Sequence, residues 1–542
     1  MTLAQLFSGA HRFRLPAFQR AFAWQTSHVG RLLDNIREAM RRGRPYQLGV
    51  MTLVERDGSP DAAIIDGHQR IMALTILFAV LRDLEIDPSV KERLSALIIK
   101  PPRGRLRTGE LVLQPQPLLA DFMAELVQRP GVTLRDPVIG EHELSETEHN
   151  ILENRDYLIA ALADGQIDLD ERRQLSEFLL DECRLILRIM DDEVEAWRTL
   201  ETEEATRVDF NACSRAKASI LSALPLADRE RCGRVWEQCE QLVGADDMHA
   251  LLGFVRTLKL RHRAQKPVET EIWEHAGLEK GAAAFFEGEM LPAARRLRAL
   301  KKGEIGAGEA GKRLAERLAR IGWVQLDFWI PAALHWLAVR GEADAETEAF
   351  FARLERLVWI ARIANLETPK QEKRTLALLT HIDKGRHVDE MAELAIEKKL
   401  KQEALANLES TNFRQKAYSA LVLRRISVAL GKDSGPYDRD QVTFEHIIPR
   451  NPEEDRGWRR ILKSWKQVEP HINRLGNLTF LTREENNRAG TRDWEGKREV
   501  YRESVHVLAR EAASREQWSV GAVAERTEEL IAILLREWDL KQ

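Results

Sequence analysis

Few cysteines and little net charge set the first limits on this chain of 542 residues. Its four cysteines, Cys183, Cys213, Cys232 and Cys239, show no CxxC spacing. The absence of this spacing argues against a zinc site or a disulfide framework, and it favours buried thiols in a reducing compartment. A formal net charge of -4 excludes a basic field over the whole chain, so any nucleic-acid surface must be a local patch.

Long apolar runs, repeats and low-complexity tracts are also missing. The longest apolar stretch, near residues 71–81, is too short to span a bilayer, and the N-terminus has no signal-peptide pattern. We therefore expect a cytoplasmic protein without a membrane partner. Charged residues make up 31% of the chain and the mean hydropathy is -0.38, as in folded proteins, and the length predicts roughly three to four domains.

The most informative stretch lies towards the C-terminus, where Glu445 and His446 end an apolar run and Pro449 follows. Cutting a phosphodiester needs an activated water and a divalent cation that carries the charge developing on the phosphate. Imidazole suits the role of base, and carboxylate and amide oxygens are the ligands that Mg²⁺ prefers. His446 is therefore the predicted catalytic base, and Glu445 and Asn486 are the predicted ligands of Mg²⁺ or Mn²⁺.

An Asn/Gly loop at residues 473–478 follows this pair, and Asn477 completes the predicted catalytic set by fixing the loop between two strands. Neighbours on a strand point to opposite faces, so Glu445 and His446 share a site only if the strand ends or bulges there. A Glu-His dipeptide alone is more typical of an ordinary buried strand. The whole ordered set instead predicts a ββα-metal, or HNH, nuclease.

Basic residues on and near the closing helix supply the local patch that the overall charge lacks. Arg474, Arg488 and Lys497 are the predicted DNA contacts, because they would neutralise phosphates beside the cutting site. A solvated charged face is the alternative interpretation of each of these residues.

Near the N-terminus, the pattern predicts a strand at 46–54, a turn at Asp57-Gly58, a strand at 62–65 and a helix at 71–84. Between the second strand and the helix lies the motif Asp66-Gly67-His68-Gln69-Arg70. A strand, a glycine turn and a helix start form a natural anion site, and the arginine of this motif adds a fork for phosphate oxygens. By itself such a turn is weak evidence.

The rest of the chain is predicted to be helical, almost throughout from 219 to 400. Amphipathic runs extend the helical prediction to 143–204, including Cys183 and Leu187. The tryptophans of the middle region, among them Trp336 and Trp359, are predicted to lie in the core rather than to stack on bases.

These motifs resemble those of the GmrSD-type modification-dependent, or type IV, restriction enzymes. The segment Phe444–Lys497, with EHIIPR, NRLGNLTFLT and a later Asn, is similar to the C-terminal HNH domain of that family. LPAFQR, YQLGVMTL and DGHQR are similar to its ParB-like N-terminal domain. The resemblance implies binding and hydrolysis of a nucleoside triphosphate, GTP or ATP, by the matching residues Gln19, Arg20, Asp66, Gly67, His68, Gln69 and Arg70. His68 stands where the family usually has Gln.

The predicted organisation is an α+β ParB-like domain at 1–218, an all-α bridging region at 219–400 and an HNH nuclease domain at 401–542, predominantly helical overall. The resemblance implies a metal-dependent endonuclease that nicks or cleaves DNA in anti-phage defence, with the N-terminal domain sensing or licensing modified DNA. If single HNH sites cut both strands, a homodimer is favoured.

Two other interpretations stay open. One is a nucleotide-switched, DNA-binding regulatory protein whose HNH fold no longer cuts, and a divalent ion near His446 would argue against it. The other is a nucleoside triphosphate phosphohydrolase, which would turn over without DNA and would be indifferent to His446.

Overall fold

The computed structural model describes residues 1–8, 11–55, 59, 61–100, 109–137, 144–163, 167–193, 195–197, 199, 212–341, 344–431, 441–451, 457–458, 462 and 464–540. The chain divides into two compact units. The first comprises residues 1–260 and 264–297, and the second comprises 261–263 and 298–542. The helical middle region predicted from the sequence is thus shared between the two units.

A five-stranded mixed sheet organises the first unit. Its strands are β1 (Arg12–Arg14), β2 (Tyr46–Glu55), β3 (Asp61–Asp66), β6 (Leu113–Gln114) and β7 (Cys183–Met190). They lie in the order β6-β1-β3-β2-β7, with β2 antiparallel to β3 and every other neighbouring pair parallel. A separate ladder joins β4 (Ile99–Lys100) to β5 (Glu110–Leu111).

Helices precede, separate and follow these strands along the chain, and the core that they bury with the sheet is formed by residues 3–185. Their bounds are α1 (Leu3–Ser8), α2 (Thr26–Arg41), α3 (His68–Leu84), α4 (Pro88–Ala96), α5 (Pro117–Met123), α6 (Glu146–Ala163), α7 (Leu169–Asp181), α8 (Ala212–Ala223), α9 (Leu226–Val243), α10 (Ala245–Leu260), α11 (Val268–His275), α12 (Leu278–Phe285) and α13 (Leu291–Lys302). Helix α3 is buried on nearly every side, so it forms the centre of this core.

The N-terminal element predictions are confirmed with slightly wider bounds. The predicted strands at 46–54 and 62–65 are β2 and β3, and the predicted helix at 71–84 is α3. The turn predicted at Asp57-Gly58 lies outside the described residues.

The helical prediction for Cys183 and Leu187 is wrong. Both lie in strand β7, which pairs in parallel with β2 through Tyr46↔Cys183 and Met51↔Leu187. The residues of this stretch, CRLILRIM, satisfy a helical pattern over a short window. Pairing with a strand that is distant in the sequence overrides that local preference.

Helix α9 packs closely on the loop that follows β1. A Cβ atom at Gly233 would lie only 2.3 Å from the Cβ of Ala17, so any larger residue at 233 would push the helix away from the loop. This contact joins a helix from beyond residue 218 to the N-terminal sheet. It lies within the first compact unit, which continues beyond residue 218.

The second unit is mainly helical. Its helices are α14 (Gly308–Gly322), α15 (Ile330–Arg340), α16 (Ala345–Ile363), α17 (Thr368–Asp383), α18 (Lys398–Leu408), α19 (Ser419–Leu430), α20 (Trp465–Val468), α21 (Arg483–Ala489), α22 (Trp494–Arg502), α23 (Val507–Ala513) and α24 (Val520–Glu537). Trp336 stacks on Phe350 with 4.3 Å between ring centroids, and Trp359 is fully buried, which confirms the core prediction for both tryptophans.

Two strands of the second unit carry the predicted cutting motif. Strand β8 (Val442–His446) pairs antiparallel with β9 (Leu478–Thr482), and α21 follows β9 directly. The order strand, loop, strand, helix is the one predicted from the sequence. The prediction of a predominantly helical chain is also confirmed, and no helix in the described ranges is long and apolar enough to cross a bilayer.

Candidate functional site

Strand β8 places Glu445 and His446 side by side at its end. The antiparallel register with β9 is regular as far as His446, which lies opposite Leu478. The two side chains have different neighbours, as alternation along a strand requires. The strand nevertheless ends at His446, which meets one of the two conditions for a shared site.

Glu445 belongs to a buried polar cluster with Lys497 and Tyr501, both on α22; we call these three residues the Glu445 cluster. Its Oε1 accepts hydrogen bonds from the Lys497 ammonium and from the Tyr501 hydroxyl, the latter at 2.9 Å. Lys497 also donates to the backbone carbonyl of His446 at 2.8 Å. Among the described residues, none donates to Oε2, so one oxygen is anchored and the other is left for a ligand.

Burial shapes the protonation of this cluster. It lowers the pKa of Lys497, while the negative charge of Glu445 acts in the opposite direction. Burial also raises the pKa of Tyr501 well above its usual value. A buried ion pair of this kind holds its geometry because removing either partner leaves an uncompensated charge away from water.

His446 is held in its neutral form. Burial is the largest cause that lowers the pKa of His446 to about 4. The positive charges of Arg450, Arg414 and Lys497 act in the same direction, against the hydrogen bond to Asn473, which raises the pKa. Its Nε2 lies 3.1 Å from Oδ1 of Asn473. When Nε2–H donates this bond, Nδ1 is the basic nitrogen. At neutral pH the ring can therefore accept a proton.

Asn477 holds the backbone that follows His446. Its Oδ1 accepts from the Ile448 amide at 2.9 Å, and its Nδ2 donates to the carbonyls of Ile448 at 3.0 Å and Ile472 at 2.9 Å. Asn477 is fully buried. All three bonds fix the loop between β8 and β9, so Asn477 acts through the backbone rather than on a phosphate.

Helix α24 clamps the same loop from its other side. Buried Arg526 donates to the carbonyls of Gly476 and Leu478, both at 2.8 Å, and Thr527 accepts from the Gly476 amide at 3.0 Å. A Cβ atom at Gly476 would lie 2.1 Å from the carbonyl oxygen of Val523. Only glycine allows the helix to come this close.

Asn486 lies half-buried on α21, the helix that packs against β8. A capping box of Thr482 and Glu485 fixes the start of this helix, and Glu485 also accepts from the Val505 amide at 3.0 Å. In the described parts of the chain, no three His, Cys, Asp or Glu side chains gather as a metal site. One carboxylate oxygen and one amide still fit Mg²⁺, which keeps several waters and binds substrate phosphate.

The three predicted DNA contacts have different surroundings. Arg488 is exposed and pairs with Glu503 at 3.1 Å on the surface, and Arg474 is half-buried at the start of the turn Leu475–Asn477. Lys497 does not fit the prediction, because its ammonium is completely buried and paired with Glu445. Such a group cannot reach a phosphate on the surface, so Lys497 is a positioning residue for Glu445.

The N-terminal motif begins at a conformation that favours glycine. Gly67 has φ 92° and ψ 3°, in the left-handed region, and precedes the first residue of α3. Arg70 donates to the carbonyl of Val50 on β2 at 3.2 Å. Burial lowers the pKa of Arg70, and the charge of Asp66 opposes that shift. Asp66 and Arg70 therefore interact on the β2 side of the motif.

The remaining motif residues face the loop that follows β1. Gln69 accepts from the Ala23 amide and donates to the Ala21 carbonyl, both at 2.8 Å, and also lies 2.8 Å from Nε2 of His68. Burial and the nearby charge of Arg20 lower the pKa of His68 to about 3, so this histidine is neutral. Gln19 donates to the carbonyls of Ile64 at 3.2 Å and Ile65 at 2.6 Å.

Beside this loop the first unit contains a cavity of about 130 Å³, which we call the Glu237 cavity. Arg20, Gln116, Lys217 and Glu237 line it, together with Phe22. Burial raises the pKa of Glu237 to about 7. Gln69 thus holds the loop that forms one wall of the cavity, although Asp66 and Arg70 do not line it.

Sequence reasoning missed several residues of these sites. Asn473 and Tyr501 touch His446 and Glu445, and Glu237 lines the cavity. The first asparagine of NRLGN was a usable signal, because it lies inside the motif. Tyr501 follows Lys497 by four residues, one helical turn, so it shares a face with that lysine. No local pattern distinguishes Glu237 from the other acidic residues of α9.

All four cysteines are buried and free, as predicted. Burial raises the pKa of Cys183, Cys213 and Cys239 to about 12 and that of Cys232 to about 11. None is a reactive thiolate at neutral pH.

Two models of known protein families match this chain, one near each end. The model of the GmrSD restriction endonuclease N-terminal domain matches residues 3–208, and that of the GmrSD restriction endonucleases C-terminal domain matches residues 398–533. No curated protein matches the chain. The two matches together span well over half of the sequence, so this chain belongs to the GmrSD restriction endonucleases, which are DNA endonucleases of phage defence.

Proposed function

We propose that the chain cuts DNA by metal-dependent HNH chemistry and that its N-terminal unit binds and hydrolyses a nucleoside triphosphate to sense or license modified DNA. The observation that carries the nuclease proposal is the combination of a neutral imidazole at His446 with an anchored carboxylate at Glu445. A base must be unprotonated to accept a proton, and a ligand must be fixed to bind a cation with one preferred geometry.

In this mechanism His446 accepts the proton of the attacking water. Glu445 would hold the cation through Oε2, with Asn486 as a second protein ligand, and Lys497 and Tyr501 orient Glu445 through Oε1. Mg²⁺ or Mn²⁺ would stabilise the charge that develops on the phosphate and the leaving oxygen. Asn477 keeps the loop after His446 in place.

The phosphate backbone of DNA is the proposed partner of Arg488 and Arg474. Arg488 is exposed on α21, the helix that packs against β8 and β9, and its partner Glu503 is a surface group. Surface ion pairs are weak, so a phosphate can replace Glu503 at little cost.

The nucleotide part of the proposal rests on the DGHQR motif and on Arg20. Among the described residues, no carboxylate lies within ion-pair distance of the Arg20 guanidinium, which lines the Glu237 cavity. An arginine that is not neutralised by a carboxylate suits a phosphate group. His68 and Gln69 hold the loop that carries it.

Plasmid cleavage with Mg²⁺ or Mn²⁺, on modified and unmodified DNA with and without nucleotide, tests this proposal. We expect His446→Ala to lose about 10²–10⁴-fold in rate, the typical value of a general base. His387→Ala is the matched control, because His387 is an exposed histidine of the same unit. We expect Asp66→Ala to cut but to lose dependence on nucleotide or modification.

Other outcomes distinguish the alternatives. A wild type that binds DNA and never nicks it would favour a regulatory protein. Nucleotide turnover without DNA that is unchanged in His446→Ala, in the absence of any cutting, would favour a phosphohydrolase.

A further inference from the structure

Arg414 lies against the face of strand β8 that carries His446. Its guanidinium contacts the Phe444 ring, with 3.8 Å between Cζ and the ring centroid. Phe444 precedes His446 by two residues on β8, and residues two apart on a strand point to the same face, about 7 Å from each other. The arginine therefore lies beside the proposed base, although it precedes that base by more than thirty residues in the sequence.

The main chain also ties Arg414 to the surroundings of His446. The Arg414 amide donates to the carbonyl of Asn473 at 2.9 Å, and Oδ1 of Asn473 lies 3.1 Å from Nε2 of His446. The Ser419 hydroxyl donates to the Arg414 carbonyl at 3.2 Å. These bonds fix the backbone of Arg414 and do not involve its guanidinium.

The charge of Arg414 is not neutralised within the described part of the chain. Neither Arg414 nor Arg450 lies within ion-pair distance of a described carboxylate. Burial lowers the pKa of Arg414, and the charge of Arg450 acts in the same direction, so the two cations are near each other. Two neighbouring cations repel, and an anion bound beside them would relieve that repulsion.

The contact with Phe444 leaves the hydrogen-bond donors of Arg414 available. A guanidinium can contact an aromatic ring through its flat face while its N–H groups point outward in its own plane. The Arg414 side chain makes no hydrogen bond to a described residue. The planar fork of N–H groups matches the geometry of two phosphate oxygens. Arg414 is thus held in place without the use of the groups that bind a phosphate.

We propose that Arg414 binds the scissile phosphate of DNA beside His446, with its N–H groups donating to the non-bridging oxygens and Phe444 holding the guanidinium in place. This assignment rests on the nuclease activity proposed above and adds a residue outside the EHIIPR and NRLGNLTFLT motifs. In the reaction the water oxygen bonds to phosphorus and gives a proton to His446. The leaving oxygen keeps the electron pair of its broken bond and takes a proton from solvent. Arg414 stabilises the charge on the phosphate while these bonds change.

Plasmid nicking with Mg²⁺ or Mn²⁺ tests the assignment by separating kcat from KM. Interactions made in the transition state raise kcat, whereas contacts of equal strength throughout the reaction change KM alone. We expect Arg414→Ala to lose about 10²-fold in kcat, the typical cost of removing one donor to developing charge. Its affinity for DNA in EDTA, measured by fluorescence anisotropy, should stay within about threefold of the wild type.

Two further substitutions distinguish charge from packing. Arg414→Met keeps an unbranched apolar chain on Phe444 and removes the charge, so its kcat should be as low as that of Arg414→Ala. Arg414→Lys keeps the charge without the planar fork, so its kcat should be intermediate. These two variants carry the test if Arg414→Ala fails to fold, which thermal unfolding establishes.

Arg386→Ala is the matched control, because Arg386 is an exposed arginine of the same unit. It should keep the kcat of the wild type.

The outcomes separate this assignment from the nuclease proposal. A wild-type kcat in Arg414→Ala, or a kcat restored in Arg414→Met, overturns the role of Arg414 and leaves the nuclease standing. Weaker DNA binding with an unchanged kcat would move Arg414 to a flanking phosphate and also overturns the assignment. A wild type that never cuts DNA overturns both.

Discussion

Two buried carboxylates, one in each unit, have opposite surroundings. Glu445 accepts hydrogen bonds from an ammonium and a phenol, whereas Glu237 has no side-chain hydrogen-bond partner among the described residues and is influenced by the charge of Lys217 and the backbone of Leu118. In the first arrangement, hydrogen bonds within the chain fix the position of the Glu445 carboxylate. In the second arrangement, no side chain of the described residues fixes the Glu237 carboxylate in this way. Pairing therefore fixes the geometry of Glu445, whereas burial without a side-chain partner raises the pKa of Glu237 to about 7.

Breaking the pair at Glu445 is the most damaging change we predict. Lys497→Met leaves a buried charge uncompensated, and we expect a loss of about 3–5 kcal/mol in the free energy of unfolding of the second unit. Urea unfolding followed by tryptophan fluorescence measures this loss. The double variant Glu445→Gln/Lys497→Met should recover much of it, since it removes both charges. A single variant as stable as the wild type would contradict the pairing.

Removing the charge of Glu237 should raise the free energy of unfolding, whereas Lys497→Met should lower it. The pKa of Glu237 rises from 4.5 to about 7 on folding, so the folded state holds a proton that the unfolded state has lost between these values. Its contribution to stability is therefore fully present below pH 4.5 and is lost as the pH rises to 7. At about 1.4 kcal/mol per pKa unit, we expect Glu237→Gln to gain about 3 kcal/mol at pH 8 and nothing at pH 4.

Glu230→Gln, the same chemical change at an exposed position of the same helix, is the control for that measurement, with no expected change at either pH. Equal stability of Glu237→Gln and the wild type at pH 8 would mean that the carboxylate has found a partner in the folded chain.

The burial of His446, together with the positive charges near it, should also appear in the pH dependence of cutting. Because the pKa of His446 is lowered to about 4, the base stays neutral well below pH 6. A histidine of ordinary pKa, 6.5, would lose about 30-fold in unprotonated fraction by pH 5. We expect kcat/KM for plasmid nicking to stay level from pH 7 to pH 5. A decline with a midpoint near 6.5 would show that the imidazole is not shielded.

The smallest effect belongs to a charge that is neither buried nor tightly paired. Arg488→Ala should change the free energy of unfolding by less than about 1 kcal/mol, because Arg488 and Glu503 form a surface pair. DNA affinity should weaken similarly on all sequences, and the slope of log affinity against log salt should fall by about 1. An unchanged salt slope would remove Arg488 from the DNA surface.

The elements that carry the cutting motif were predictable from sequence because their signals are local. The residues Glu445, His446 and Pro449 indicate the end of a strand, and the Asn/Gly loop indicates the turn before β9. The same local signals located β2, β3 and α3. Whether Glu445 and Asn486 bind a cation, and whether His446 is the base, stay predictions.

What failed depended on distant parts of the chain. The lysine at 497 looks like any basic residue of a surface helix until β8 covers it and Glu445 pairs with it. Strand β7 forms because it pairs with β2, which lies more than a hundred residues earlier in the sequence. Glu237 gains its unusual environment from α8 and the loop after β1, which no window along α9 contains.

The clamp of Arg526 and Thr527 on Gly476 also sets the order in which a newly made chain can become active. Helix α24 follows every catalytic candidate in the sequence, so a ribosome synthesises the strands, the imidazole and the carboxylate before the helix that fixes their loop. During that interval the loop lacks three of its anchoring hydrogen bonds. In a nascent chain, the candidate cutting site would therefore remain unassembled until α24 has emerged.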